Sequence, residues 1–126
     1  MDCGPEAAVF DKAKVLERLA GDQKLLKEIS GLFLETCPQL MADTRAALIS
    51  GDHNALARSA HALKGSLGNF AAKDAYEAAV KLEQAARQGD LKRVQETWAE
   101  LAVEVDRLRS ALGRVAKSHA SADRTA

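Results

Sequence analysis

Aromatic side chains are scarce in this chain of 126 residues, 4% in all, and there are only two prolines. With so few rings and helix breakers, in a composition led by alanine, leucine, lysine, arginine and glutamate, an all-helical protein is expected. No alternating apolar and polar run is long enough to support a strand. Net charge is also missing, since 18 basic residues face 18 acidic ones, which removes the usual argument for nucleic acid or an anionic membrane as the main partner. No apolar run is long enough for a membrane span or a secretory signal, so direct membrane insertion is not expected and the chain reads as cytoplasmic. The only cysteines, Cys3 and Cys37, sit in different settings and read as reduced thiols.

The chemistry of several enzyme classes is missing too. Without a glycine-rich loop between a strand and a helix there is no nucleotide cradle, so the chain cannot phosphorylate itself from ATP. No spacing suggests a Ser, His and Asp arrangement or a cysteine pair, and a helical bundle with few polar core residues has little room for a substrate pocket. Helical bundles hold metals with inward Glu and Glu-x-x-His sets on several helices. Such sets are absent, and His53, His61 and His119 are not at mutual ligand spacing, so neither a metal nor a cofactor is expected on this chain.

What is present is periodicity. Residues 1–9 read as a flexible leader, and helices are predicted at about 12–20, 22–50, 52–70, 75–88 and 90–115, with a flexible polar tail over 116–126. Three Gly-Asp pairs, Gly21-Asp22, Gly51-Asp52 and Gly89-Asp90, mark the corners. Glycine supplies the left-handed residue after one helix, and aspartate caps the next. Asp74 and Glu77 form a similar start signal for the fourth helix. The second helix has Leu25, Ile29, Leu32, Phe33, Cys37, Leu40, Met41, Thr44, Ala47 and Leu48 as its inward set. That pattern runs through Pro38, so one long helix kinked there is expected. In the fifth helix Leu91, Val94, Trp98, Leu101, Val105, Leu108, Leu112 and Val115 make a sustained seam. Together these predict an antiparallel up-and-down four-helix bundle with a short additional N-terminal helix as a lid.

Two features of the third and fourth helices stand apart. His61, Lys64, Gly65 and Gly68 share one stripe roughly 100° wide, while Leu56, Ala60, Leu63, Leu67 and Phe70 share another, which places His61 on the flank of a packed helix. In the fourth helix Tyr76, Ala79, Leu82 and Ala86 face inward, and Glu83 lies inside that apolar arc, where a carboxylate needs a partner. Arg87, one turn on, could supply it. A neutral imidazole is a competent nucleophile able to hold a phosphoryl group, and a lysine one turn away can meet the phosphoryl oxygens. Each helical glycine costs about 1 kcal/mol relative to alanine, and two beside the histidine would open it to a partner's active site.

The run His61-Ala62-Leu63-Lys64-Gly65-Ser66 follows Ala60 and is answered on the next helix by Leu82-Glu83. With Phe33-Leu34-Glu35, Pro38 and the Gly51-Asp52 turn, it resembles the histidine-containing phosphotransfer (HPt) domain of multistep two-component phosphorelays, over about residues 10–112. The resemblance implies a stoichiometric phosphocarrier and not an autonomous kinase. His61 would accept a phosphoryl group at Nε2 from a receiver-domain aspartate and pass it to another receiver's aspartate, with Mg²⁺ held by the receiver. Glu83 would hydrogen-bond Nδ1–H and orient the ring, Lys64 would neutralise phosphate charge, and Gly65 and Gly68 would give the partner access. Ala57, Arg58, Ala62, Leu40, Asp43 and Thr44 are docking candidates.

Response-regulator receivers, including that of a hybrid sensor kinase, are the implied partners of a monomeric chain. It would be cytoplasmic, free-standing or as the cytoplasmic end of a membrane-bound hybrid kinase. Relatives usually carry glycine at the helix exit, where this chain has Ala71, and a small residue where it has Leu67. The alternative is a phosphate-independent helical adaptor with an inactive motif.

Overall fold

The computed structural model describes residues 9–125, with side chains described through Lys117. Among the described residues there are five helices and no strand: α1 (Lys12–Arg18), α2 (Gln23–Ser50), α3 (His53–Gly68), α4 (Lys73–Gln88) and α5 (Leu91–Thr125). The four long helices pack in a closed ring of neighbours, α2 on α3, α3 on α4, α4 on α5 and α5 on α2, while α1 lies against α2.

The corners follow the predicted chemistry. Asp11, Asp22, Asp52 and Asp90 each accept a main-chain N–H from the first turn they precede, at 3.0 to 3.2 Å. Each satisfies a donor that would otherwise have no partner in the helix. Gly51 and Gly89 hold the left-handed position after α2 and α4, with φ of 75° and 68°. The next residue's N–H reaches back to close the cap in both places, Asp52 to Ala47 and Asp90 to Ala85.

The other two corners are built differently. After α1 the left-handed position falls to Ala20, at φ 56°, with Gly21 following at 79°, so α1 ends at Arg18 and is shorter than predicted. After α3 it falls to Ala71, at φ 51°, and Ala72 N–H closes the cap on the Leu67 carbonyl. An L-residue with a Cβ pays about 1–2 kcal/mol for that conformation, partly offset by the lower unfolded-state entropy of alanine. Ala71→Gly should therefore raise stability by up to about 1 kcal/mol in chemical denaturation, and a fall would remove the strain argument. This early closure also moves the start of α4. It begins at Lys73 on an Ala72 N-cap with no side-chain bond, so Asp74 sits inside the first turn and is not the predicted start signal.

The polar tail does not end α5. The helical backbone continues to Thr125, because after Gly113 the chain has no glycine or proline to stop it. At the other end Val9 and Phe10 are buried with the core, so the segment read as a leader joins the fold by Val9; residues 1–8, including Cys3, lie outside the described residues. α2 passes unbroken through Pro38 as a single 28-residue helix.

Its inward stripe is Leu26, Ser30, Phe33, Cys37, Thr44 and Ala47. Two residues expected inside are not: Leu25 and Leu32 are 37% and 59% exposed. Tyr76 and Leu91, also assigned inward, are exposed as well. α3 keeps its predicted face, with Leu56, Ala60, Leu63 and Leu67 buried, and Phe70, two residues past its end, is buried with them. Cys37 is a buried free thiol, pushed up by burial and drawn partly back by the Arg109 charge.

Two contacts fasten α1 to the α3–α4 corner. Arg18 Nη1 donates to the Gly68 carbonyl at 2.8 Å, and Asp11 N–H donates to the Ala71 carbonyl at 3.3 Å. Val15 and Phe10 enter the core beside them.

Candidate functional site

With its apolar face committed to the bundle, α3 turns His61 outward, and the side chain is 63% exposed. α4 brings Glu83 to meet it from the side. This carboxylate is 10% exposed, buried as its place in the apolar arc of α4 requires. It is not left alone there. Glu83 Oε2 lies 3.2 Å from His61 Nδ1 and 2.7 Å from Arg87 Nη2, while Oε1 lies 3.1 Å from Lys64 Nζ. The two partners open to Glu83 from the sequence, His61 and Arg87, are therefore both present and share one oxygen.

Burial pushes the Glu83 carboxyl up. Hydrogen bonds from Arg87 and Lys64, the Lys64 charge and the His61 contact together outweigh it and hold the group at about 2. An ionised carboxylate only accepts, so the ring hydrogen shared with it must be on Nδ1. The lone pair is then left at Nε2, the nitrogen not engaged by Glu83.

Lys64 is less extended than its predicted role suggests. It is 25% exposed and bonded to Glu83, one turn from the ring and within the same cluster. Gly65 is open, and a Cβ built there meets nothing within 4 Å. Gly68 is half-buried, and a Cβ on it would stand in ordinary van der Waals contact with the Tyr76 ring of α4 at 3.5 Å. Among the docking candidates Arg58, Ala62 and Asp43 are exposed and Leu40 is partly so. Ala57 and Thr44 are buried, at 4% and 0%. Thr44 turns its hydroxyl to the Leu40 carbonyl at 2.7 Å and presents no surface to a partner.

Arg87 is the participant that the sequence showed only as a rival partner for Glu83; its signal was the spacing of four between them. Among the described residues no group of three or more His, Cys, Asp or Glu could hold a metal ion, and no helix is long and apolar enough to cross a membrane.

The arrangement is that of a helical domain presenting an exposed histidine, His61, whose ring is steered by a buried, ionised carboxylate. Against protein-family models the chain matches the Hpt domain over residues 28–111, most of its length, and it belongs to that family. No curated protein and no solved structure matches it. Membership assigns it to phosphorelay phosphotransfer, as a phosphocarrier that works with receiver domains and not as a kinase.

Proposed function

We propose that His61 is the phosphoacceptor, taking its phosphoryl group from the aspartyl phosphate of one receiver domain and passing it to the aspartate of another. The observation that carries this is the contact of His61 Nδ1 with Glu83 Oε2 at 3.2 Å on an otherwise open flank. Nε2 attacks phosphorus in line as the bond to the aspartate oxygen breaks, and the electron pair leaves with the aspartate. The Nδ1 proton stays against Glu83, which stabilises the positive ring formed in that step. Mg²⁺ that neutralises the phosphoryl oxygens belongs to the receiver. Lys64 is close enough to exchange one anion, Glu83, for the incoming one. Arg58 and Ala62 flank the histidine at the docking surface, with Leu40 and Asp43 of α2 as further contributors.

The bundle that carries the site is read as antiparallel and up-and-down, which the short connections and the closed ring of neighbours support. Hybrid sensor kinases are the natural source of one receiver partner, and a monomer suffices for the chemistry. Incubation of the chain with a phosphorylated receiver tests the assignment. Label that is acid-labile and base-stable should appear on the chain, and its absence with every competent receiver tried would remove the phosphocarrier reading.

Gly65 gives a separate test of access. Gly65→Gln adds a side chain where nothing opposes it within the protein, so the helix should gain about 0.5 kcal/mol. Transfer from the receiver should fall by about tenfold or more, because the reacting atoms are held apart. Equal transfer rates in gel-based time courses would show that Gly65 has no part in access.

A further inference from the structure

Glu83 Oε2 is divided between two donors. His61 Nδ1 holds it from α3 at 3.2 Å, and Arg87 holds it from α4 at the shorter 2.7 Å. Lys64 occupies the other oxygen at 3.1 Å. These are the charged or titratable groups described against the carboxylate. They come from α3 and α4, and α2 and α5, packed on those helices, place no described ion pair on it. What remains of Glu83's basicity toward the histidine is thus set by Arg87 and Lys64.

That matters once the ring is phosphorylated, a step that rests on the phosphoacceptor reading above. A phosphoryl group on Nε2 is lost readily when Nδ1 bears its proton, because the electrons of the breaking Nε2–P bond then collapse onto a neutral imidazole. With the Nδ1 proton gone the bond is slow to break. In hydrolysis water oxygen forms the new bond to phosphorus, the Nε2–P bond breaks with its electron pair staying on Nε2, and the proton remains on Nδ1. Inorganic phosphate and the neutral ring are the products, and charge balances when water delivers its proton to phosphate.

We propose that Arg87 is a positioning residue that sets the lifetime of the phosphorylated histidine, by competing for the Glu83 oxygen that would otherwise hold the Nδ1 proton more tightly. Its positive charge opposes the protonated ring as well, and both effects act in one direction. The low-lying Glu83 carboxyl, held there against its own burial, agrees with a carboxylate whose basicity is largely spent on the two cations. Arg87 is 61% exposed, so solvent screens part of its influence and the effect is moderate.

The experiment uses the full chain, labelled by phosphoramidate so that no receiver is needed, with loss of label followed across pH. In Arg87→Ala the pH midpoint of the loss should move up by about half a unit, giving roughly threefold faster loss on its alkaline side. Arg87→Lys, which keeps the charge, should recover at least part of the shift. A variant that takes label with an unmoved midpoint overturns the proposal, as does one that takes no label at all, which would place Arg87 in the transfer step itself. If the unsubstituted chain takes no label, the phosphoacceptor reading fails first, and the two failures are distinguished by that control.

Discussion

A chain carrying His61→Gln is expected to take no acid-labile label from a phosphorylated receiver, with transfer at least about a thousandfold below that of the unsubstituted chain. Glutamine is close in size and still offers an N–H to Glu83. Its amide nitrogen has no available lone pair, because that pair is delocalised into the carbonyl. The substitution therefore removes the nucleophile and leaves the surroundings in place. With the side chain 63% exposed, little packing is lost, and the melting temperature should scarcely change. Mass spectrometry or autoradiography of the two chains side by side reads the result. Label that survives the substitution would assign the chemistry to another residue.

The second large effect concerns acid. The Glu83 carboxyl lies at about 2 in the folded chain against an ordinary value of 4.5, because its cationic partners overcome the cost of burial. A folded value below the unfolded one means that the unfolded chain binds the proton more readily, so protonation favours unfolding. The contribution is complete above the unfolded value and is lost as pH falls toward the folded one. At 1.36 kcal/mol per unit it amounts to about 3 kcal/mol, with roughly half or more gone by pH 3. Urea unfolding at pH 6 and pH 3 should show this fall, and Glu83→Gln should lack most of it. If the Glu83→Gln variant loses as much stability as the unsubstituted chain, the carboxylate is not the source.

How far such features are legible in the sequence depends on how much each segment contradicts itself. In α3 the apolar residues lie on one unbroken face, and the histidine stripe is set well away from it. No rotation of the helix satisfies both except the one observed. Glu83 is legible for the opposite reason, as a charge in an arc of apolar residues that only a partner could justify. In α2 adjacent leucines at 25 and 26 fit two phases equally well, and placing Leu25 inside carries Leu32 with it. Ser30, the polar member of the true stripe, gives no hint of burial. Thr44 reads both as inward and as a docking candidate; its hydroxyl is satisfied by its own helix, so only the first holds. Tyr76 is inward by period alone, whereas a ring can lie along the bundle's edge against the bare backbone of Gly68. Of the left-handed alanines, Ala20 is illegible because the glycine normally used for that conformation is displaced by one residue, whereas Ala71 shows only through the resemblance, as the exit where relatives carry glycine.

The fastening of α1 to the end of α3 bears on how an encounter is converted into transfer. Asp52 closes the first turn of α3; at the other end Ala72 caps the Leu67 carbonyl and Arg18 holds that of Gly68. A helix tied at both ends and buried along one face opens only with the surrounding bundle, so its amides should resist hydrogen exchange as strongly as any in the chain. The exposed imidazole thus stands on one of the stiffest supports in the protein. On the phosphoacceptor reading, an approaching receiver would find its target already in place and give up little conformational freedom to order it. A loosely held histidine would have to be immobilised at each meeting, and brief encounters would more often end without reaction.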